Sequence, residues 1–309
     1  MIKVALTVLC LYTVHCLTTG TPVSKINESR PRVRRIVNGY PTDITEHPYM
    51  VSLRIRGRNK HYCGGTIVNK KTILTAAHCL TNKTETNLTV KVGSSYSDDR
   101  GRVPHNVTKF IIHENYESKP FLLNDIALII LKEPIEIDNI TTRSVKLANH
   151  NVNVSDGDEA TVIGWGLIGW SLLIEKLNQT AEIDGEQSRI EDFERIMRLF
   201  PDTLRATQVR MISRKKCDEY KIGNLDGRLC SMTLAGGNFC DGDSGGPLMK
   251  GGYQIGIMSE GDEQCSDILP YTYSGIATYR EWIHDKVKTS LRRNSKGRGR
   301  QASNETLTT

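Results

Sequence analysis

The 309-residue chain is short of several things, and each shortage excludes a class of protein. Aromatic residues make up 6% of it and apolar residues 38%. No apolar run reaches the ~18–20 residues that a membrane-spanning helix needs. There is no CxxC pair and no HExxH, so the usual zinc signatures are missing, and neither a metal nor a cofactor is expected. No internal repeat marks a solenoid or propeller. Charge of either sign is moderate, with 41 Lys+Arg against 35 Asp+Glu and a formal +6. With 26 Gly and 10 Pro, that balance excludes collagen, a coiled coil and disorder throughout.

What charge there is lies at the ends. Residues 1–35 carry six Lys/Arg and one Glu, and residues 286–309 carry seven Lys/Arg and one Glu, which leaves 36–285 at −5. An acidic body with basic ends is a poor match to nucleic acid, and no such partner is expected. Residues 1–20 have the form of an export signal. Lys3 supplies the positive start, Val4 to Val14 form the apolar run, and cleavage could follow Cys16 or Gly20. Eight Asn-x-Ser/Thr sequons, at Asn27, Asn82, Asn87, Asn106, Asn139, Asn153, Asn178 and Asn304, fit an extracellular glycoprotein. Cys10 and Cys16 fall within the leader. Six cysteines remain, Cys63, Cys79, Cys217, Cys230, Cys240 and Cys265. In an oxidising compartment they suggest three disulfides, with about fifteen pairings open.

Short β-type runs separated by Gly, Asn and Asp turns fill the body: Tyr49–Ile55, Thr66–Leu74, Leu88–Val92, Ile126–Leu131, Ala160–Ile163, Thr207–Ile212 and Tyr253–Met258. They predict an all-β barrel or sandwich. Helical spacing is confined to Ser188–Phe200 and Arg280–Leu291. The first has a Ser188/Glu191 capping box and a stop at Pro201. Residues 292–309 are polar and basic, and disorder is expected there.

Three segments carry chemistry: Thr75-Ala76-Ala77-His78-Cys79, Asn124-Asp125-Ile126-Ala127-Leu128, and Gly242-Asp243-Ser244-Gly245-Gly246-Pro247. A serine hydroxyl is a weak nucleophile until a base takes its proton, and that base needs an orienting acid. Each segment alone is ordinary, but their joint occurrence in the order His, Asp, Ser is specific. Together with Ile36-Val37-Asn38-Gly39, Cys63-Gly64-Gly65 and Gly164-Trp165-Gly166, they make residues 36–285 resemble the chymotrypsin/trypsin-like serine protease family.

The resemblance implies two six-stranded antiparallel barrels, an active site in the cleft between them, and a C-terminal helix. It implies Ser244 as nucleophile, His78 as general base and then acid, and Asp125 as the group that holds the His78 tautomer. The N–H groups of Gly242 and Ser244 would form the oxyanion hole. It also selects the disulfides Cys63–Cys79, Cys217–Cys230 and Cys240–Cys265. Residues 21–35 would be an activation propeptide, ending in Arg32-Val33-Arg34-Arg35 and removed by an activating protease. The freed amino group of Ile36 would then pair with Asp243. Expected partners are protein substrates, the protease cutting after Arg35, protein protease inhibitors, and anionic glycans through the basic tail.

The chain departs from the family pattern in two places. The interval from Trp165 to Cys217 is about twice the usual length, which marks an insertion at about 170–200. The specificity pocket is also unusual. Its base is Asn238 rather than an acid, Phe239 and Tyr271 are large, Gly261 leaves the opposite wall open, and Glu260 stands in place of a tryptophan. With Asp241 and Asp262, Glu260 makes the rim acidic. The expectation is weak cleavage after Arg or Lys and a narrow preference instead, for small residues or driven by an exosite. Overall, the sequence predicts a secreted serine endopeptidase made as a zymogen and suited to a step in an extracellular proteolytic cascade. The alternative is a catalytically weak or inactive serine protease homologue acting as a binding partner or regulator.

Overall fold

The computed structural model describes residues 39–57, 60–98, 104–167, 201–234, 240–261, 265 and 268–304. The leader, the propeptide, Ile36, the insertion with its capped segment, Asn238, Phe239 and Asp262 lie outside them.

Six strands close the first barrel: β2 (Met50–Ile55), β3 (Lys60–Asn69), β4 (Thr72–Thr75), β5 (Leu88–Val92), β6 (His105–Ile112) and β7 (Ala127–Leu131), paired in the ring order β2-β3-β4-β7-β6-β5. β5 and β7 are buried along their whole length; β7 reads as a continuous apolar run rather than an alternating one, and β5 carries the buried Lys91 within its apolar run. The expected single run Thr66–Leu74 is in fact a hairpin. Thr66 of β3 pairs with Leu74 of β4. The Asn69 side chain turns the chain by accepting the Lys71 N–H at 2.8 Å, a local bond that competes with continuing the strand.

The second barrel contains β8 (Glu159–Gly164), β9 (Arg205–Ile212), β10 (Arg228–Thr233), β11 (Pro247–Lys250), β12 (Tyr253–Glu260) and β13 (Tyr271–Gly275). Their order is β9-β10-β13-β12-β11-β8, and a β8–β9 pairing closes the ring. The two-residue strand β1 (Tyr40–Pro41) adds to the outside of β9. A one-turn helix, α1 (Arg214–Asp218), is capped by the Ser213 side chain.

Helix α2 (Ile276–Asn304) ends the fold. Ile276, Tyr279 and Ile283 are buried at helical spacing, each worth roughly 1.5–3 kcal/mol of burial. Arg280 ties the same face to the first barrel's exit loop by donating to the Leu147 and Ala148 carbonyls at 2.7 and 2.9 Å. The helix runs past Leu291 into the stretch expected to be disordered. No proline interrupts it, and its Lys, Arg and Gln are good helix formers. No helix among the described residues is long and apolar enough to cross a membrane.

Polar bonds hold the seam between the barrels. Gly64 donates to the Ser244 carbonyl at 2.7 Å, Thr66 donates to the Gln254 side chain at 2.8 Å, and Ser274 donates to the Asp125 carbonyl at 2.8 Å.

Candidate active site

His78 and Asp125 meet because of one strand ladder. Thr75, the last residue of β4, pairs with Ala127, the first of β7. The chain leaving β4 therefore runs beside the chain entering β7. Asp125 accepts the His78 backbone N–H on Oδ1 at 2.9 Å and bonds His78 Nδ1 through Oδ2 at 2.7 Å. The second barrel contributes Ser259, whose hydroxyl donates to Oδ2 at 2.6 Å. Asp125 has no exposed surface, and these bonds replace the water it has lost.

The fixed carboxylate acts on the ring. Burial pulls the His78 pKa down, but Asp125, through its charge and its hydrogen bond, and Glu260 outweigh burial and leave it raised. Nε2 then faces the second barrel. The Cys79 sulfur lies 3.7 Å from His78 Nε2 and 3.6 Å from the Ser244 carbonyl, so His78 and the Ser244 loop share one side of the cleft. The Ser244 hydroxyl makes no hydrogen bond among the described residues. Such bonds commonly tighten only when substrate is bound. Cys63, Cys79 and His78 also cluster closely enough to suggest metal ligands. Both sulfurs are spent in the Cys63–Cys79 disulfide, which leaves no thiolate to bind an ion.

The loop before Ser244 is held from behind. Gly242 has φ +99°, a conformation open to glycine. The Leu167 N–H holds the Asp241 carbonyl at 2.9 Å, and the Gly246 N–H holds the Asp243 carbonyl at 3.0 Å. In planar trans peptides, the N–H groups of Gly242 and Ser244 therefore point the opposite way. Neither is used in a hydrogen bond among the described residues. The Gly242 carbonyl bonds His61 Nε2 at 2.8 Å, and His61 Nδ1 bonds the Ser52 hydroxyl at 2.8 Å. Burial holds His61 neutral, with its pKa lowered to about 4.

Asp243 is turned inward. It accepts N–H groups from Gly166 at 2.7 Å and Cys240 at 3.0 Å. It lies so close to Gly164 and Gly166 that a Cβ on either would come within about 2 Å of its oxygens. Burial, against those two bonds, raises its pKa to about 6. Arg35 and Ile36 lie outside the described residues.

The remaining disulfides are Cys217–Cys230 and Cys240–Cys265, the set the resemblance implied. A cavity of about 280 Å³ opens beside Ser244, between Leu122, Ser259, Gly261 and Tyr271. Of the expected pocket residues it brings together Gly261 and Tyr271; Asn238 and Phe239 lie outside the described residues. The sequence reading missed Ser259, His61 with Ser52, and Arg228, which donates to Glu260 at 2.9 Å. The nearest signal was the position of Ser259 and His61 beside quoted segments, one residue before Glu260 and two before Cys63.

Comparison with known proteins agrees with this geometry. The trypsin family model matches residues 36–186 and 186–283. Trypsin epsilon of Drosophila erecta is 34% identical over 254 residues, 81% of this chain and 86% of that one. Hypodermin-B of Hypoderma lineatum is 32% identical, covering 82% and 88%. Among solved structures, neuropsin, a serine protease expressed in the limbic system of mouse brain, has a TM-score of 0.64 at 27% identity, covering 81% of this chain and 98% of its own. The scabies mite inactivated protease paralogue S-D1 has the same TM-score at 22% identity, covering 81% and 97%, and that likeness shows the fold alone. A double barrel of this kind, in a chain matched by the trypsin family model and by several trypsins, is a serine-type endopeptidase. The chain belongs to the trypsin family.

Proposed function

We propose that the protein is a secreted endopeptidase made as a zymogen and working through His78, Asp125 and Ser244. The observation that carries this reading is the Ser259–Asp125–His78 chain, which fixes the imidazole with Nε2 toward the loop of Ser244. In the first step, Ser244 Oγ attacks the scissile carbonyl carbon while its proton passes to His78 Nε2. The carbonyl oxygen gains negative charge and is met by the N–H groups of Gly242 and Ser244, a stabilisation typically worth about 3–4 kcal/mol per donor. The C–N bond then breaks, with His78 returning the proton to the leaving amine. Water repeats the sequence in reverse on the acyl-enzyme. Protein inhibitors that fill the cleft would block it.

Activation follows from Asp243. A buried carboxylate whose pKa is pushed up to about 6 is an unstable arrangement until a cation joins it. Cutting after Arg35 would create one, the amino group of Ile36. Secretion rests on the leader-like residues 1–20. Glycosylation is supported by Asn82, Asn87, Asn106, Asn139 and Asn153, sequon residues that are all exposed. The basic end of α2 suits attachment to anionic glycans.

The test is Arg35→Gln, expressed for secretion beside the wild type. The variant should be secreted and folded yet inactive on peptide substrates, whereas wild type gains activity as a new N-terminus appears at Ile36. Full activity with residues 21–35 still attached would refute the zymogen reading.

A further inference from the structure

The outer face of the first barrel carries charge where water does not reach. On β2, Val51 and Leu53 belong to the apolar core, so Ser52 and Arg54 point the other way. The ladders set Ser52 opposite Lys91 of β5 and Arg54 opposite His61 of β3. All four are buried, covered by residues 95–98 and the Trp165 ring. Arg54 Nη2 donates to the Ser97 carbonyl and, at 2.8 Å, to the Asp98 carbonyl, which Lys91 Nζ also holds. The Trp165 ring sits 5.3 Å from the His61 ring, and its Nε1 donates to the Ser95 carbonyl at 2.8 Å.

A line of hydrogen bonds runs from Arg54 to the loop before Ser244. Arg54 Nε donates to the Ser52 hydroxyl at 3.2 Å. The Ser52 oxygen lies 2.8 Å from His61 Nδ1, and His61 Nε2 lies 2.8 Å from the Gly242 carbonyl. Both ends allow one direction only. A guanidinium has no acceptor, a carbonyl has no donor, and the hydroxyl between them has a single proton. Ser52 therefore accepts from Arg54 and gives its proton to Nδ1, which leaves the His61 proton on Nε2, facing Gly242. Burial, with the charges of Arg54 and Lys60, outweighs the Gly242 bond and keeps His61 from taking a second proton.

Building on the endopeptidase reading above, we infer that Arg54 is a positioning residue for the loop before Ser244, acting through Ser52 to fix which nitrogen of His61 carries the proton. The other tautomer would set a bare Nε2 lone pair against the Gly242 carbonyl, and the loop would have to turn away from it. The N–H groups of Gly242 and Ser244 belong to that loop. Their aim at the scissile carbonyl oxygen therefore depends on a cation buried on the outer face of the first barrel. These N–H groups bind most strongly when the oxygen gains charge, so loss of the brace lowers kcat and leaves KM nearly unchanged.

The experiment uses the processed full-length enzyme, a fluorogenic peptide that wild type cleaves, and fluorophosphonate titration to count active sites. Arg54→Met should lower kcat per active site about tenfold or more, approaching the roughly 10²–10³ that losing one oxyanion donor costs, with KM within about twofold of wild type. Arg54→Lys keeps a donor that cannot accept and should recover most of the loss. Lys91→Met takes a buried cation from the same Asp98 carbonyl without touching the Arg54–Ser52 bond, and its kcat should stay near wild type. Nitrogen NMR of histidine-labelled enzyme, assigned with His61→Gln, should show His61 protonated on Nε2 in wild type and partly on Nδ1 in Arg54→Met. If Arg54→Met fails to fold, Ser52→Ala cuts the same line and decides by the same split between kcat and KM. Unchanged kcat per active site, a loss confined to KM, an unaltered tautomer, or an equal loss in Lys91→Met would each overturn this inference and leave the endopeptidase reading intact. Absence of labelling in every processed sample would overturn the endopeptidase reading and this one with it.

Discussion

In the proposed mechanism Asp125 works as an acceptor. Oδ2 takes bonds from His78 Nδ1 and the Ser259 hydroxyl, and Oδ1 takes the His78 backbone N–H. Asp125→Asn would place an amide where only acceptors are wanted and favour the wrong imidazole tautomer. On processed enzyme, kcat should fall about 10⁴-fold with the circular dichroism spectrum unchanged; a loss below tenfold would contradict the assigned role. Because the His78 pKa is raised above the ordinary imidazole value and the proposed mechanism needs it neutral as the base, activity should decline as pH falls through that raised value. Glu260 is one of the charges that raise it, so Glu260→Gln should move the acid limb of the kcat/KM profile to lower pH. The motif residues were legible in sequence because each sits in a short contiguous signature. Ser259, His61 and Arg228 were not. Their partners are 134, 181 and 32 residues away, and strand register and loop closure bring them together.

The loop from Cys240 to Gly246 is the element on which the cleft depends, and it is braced by groups that titrate. His61 is neutral in the fold, with its pKa lowered to about 4, while in the unfolded chain it protonates near 6.5. Between those values the unfolded state binds the extra proton, so stability should fall as pH drops from about 6.5 to about 4. The loss is about 3 kcal/mol if His61 acts alone. Urea denaturation across that window measures it, and His61→Gln should flatten the slope; an unaltered slope would show that other groups carry the pH dependence. Most strand positions could be read from β-branched runs. The hairpin at Asn69–Thr72 was hidden inside an apolar run because a side-chain bond to Lys71 makes the turn. The length of α2 was hidden because its last turns have no apolar stripe to announce them.

At the scale of the whole molecule, charge and fold are segregated: an acidic double barrel carries a helix whose far end is basic. A chain truncated after Leu291 keeps the buried stripe Ile276–Ile283 and loses five Lys/Arg. It should keep peptide-cleaving activity and elute from a heparin column at lower salt, since such attraction is screened; unchanged elution would remove the helix end as a glycan-binding element. The double-barrel plan was legible through its resemblance to a family, whereas the packing of the Tyr271 ring against Gly261 emerged only from the strand pairing. The central claim is that the seam of the two barrels is a working catalytic centre released by processing. Fluorophosphonate labelling followed by peptide mapping, on the chain before and after cleavage at Arg35, tests it most directly. The account predicts labelling at Ser244 alone, strong after cleavage and absent after His78→Ala; a folded, fully processed chain that takes up no probe would contradict it.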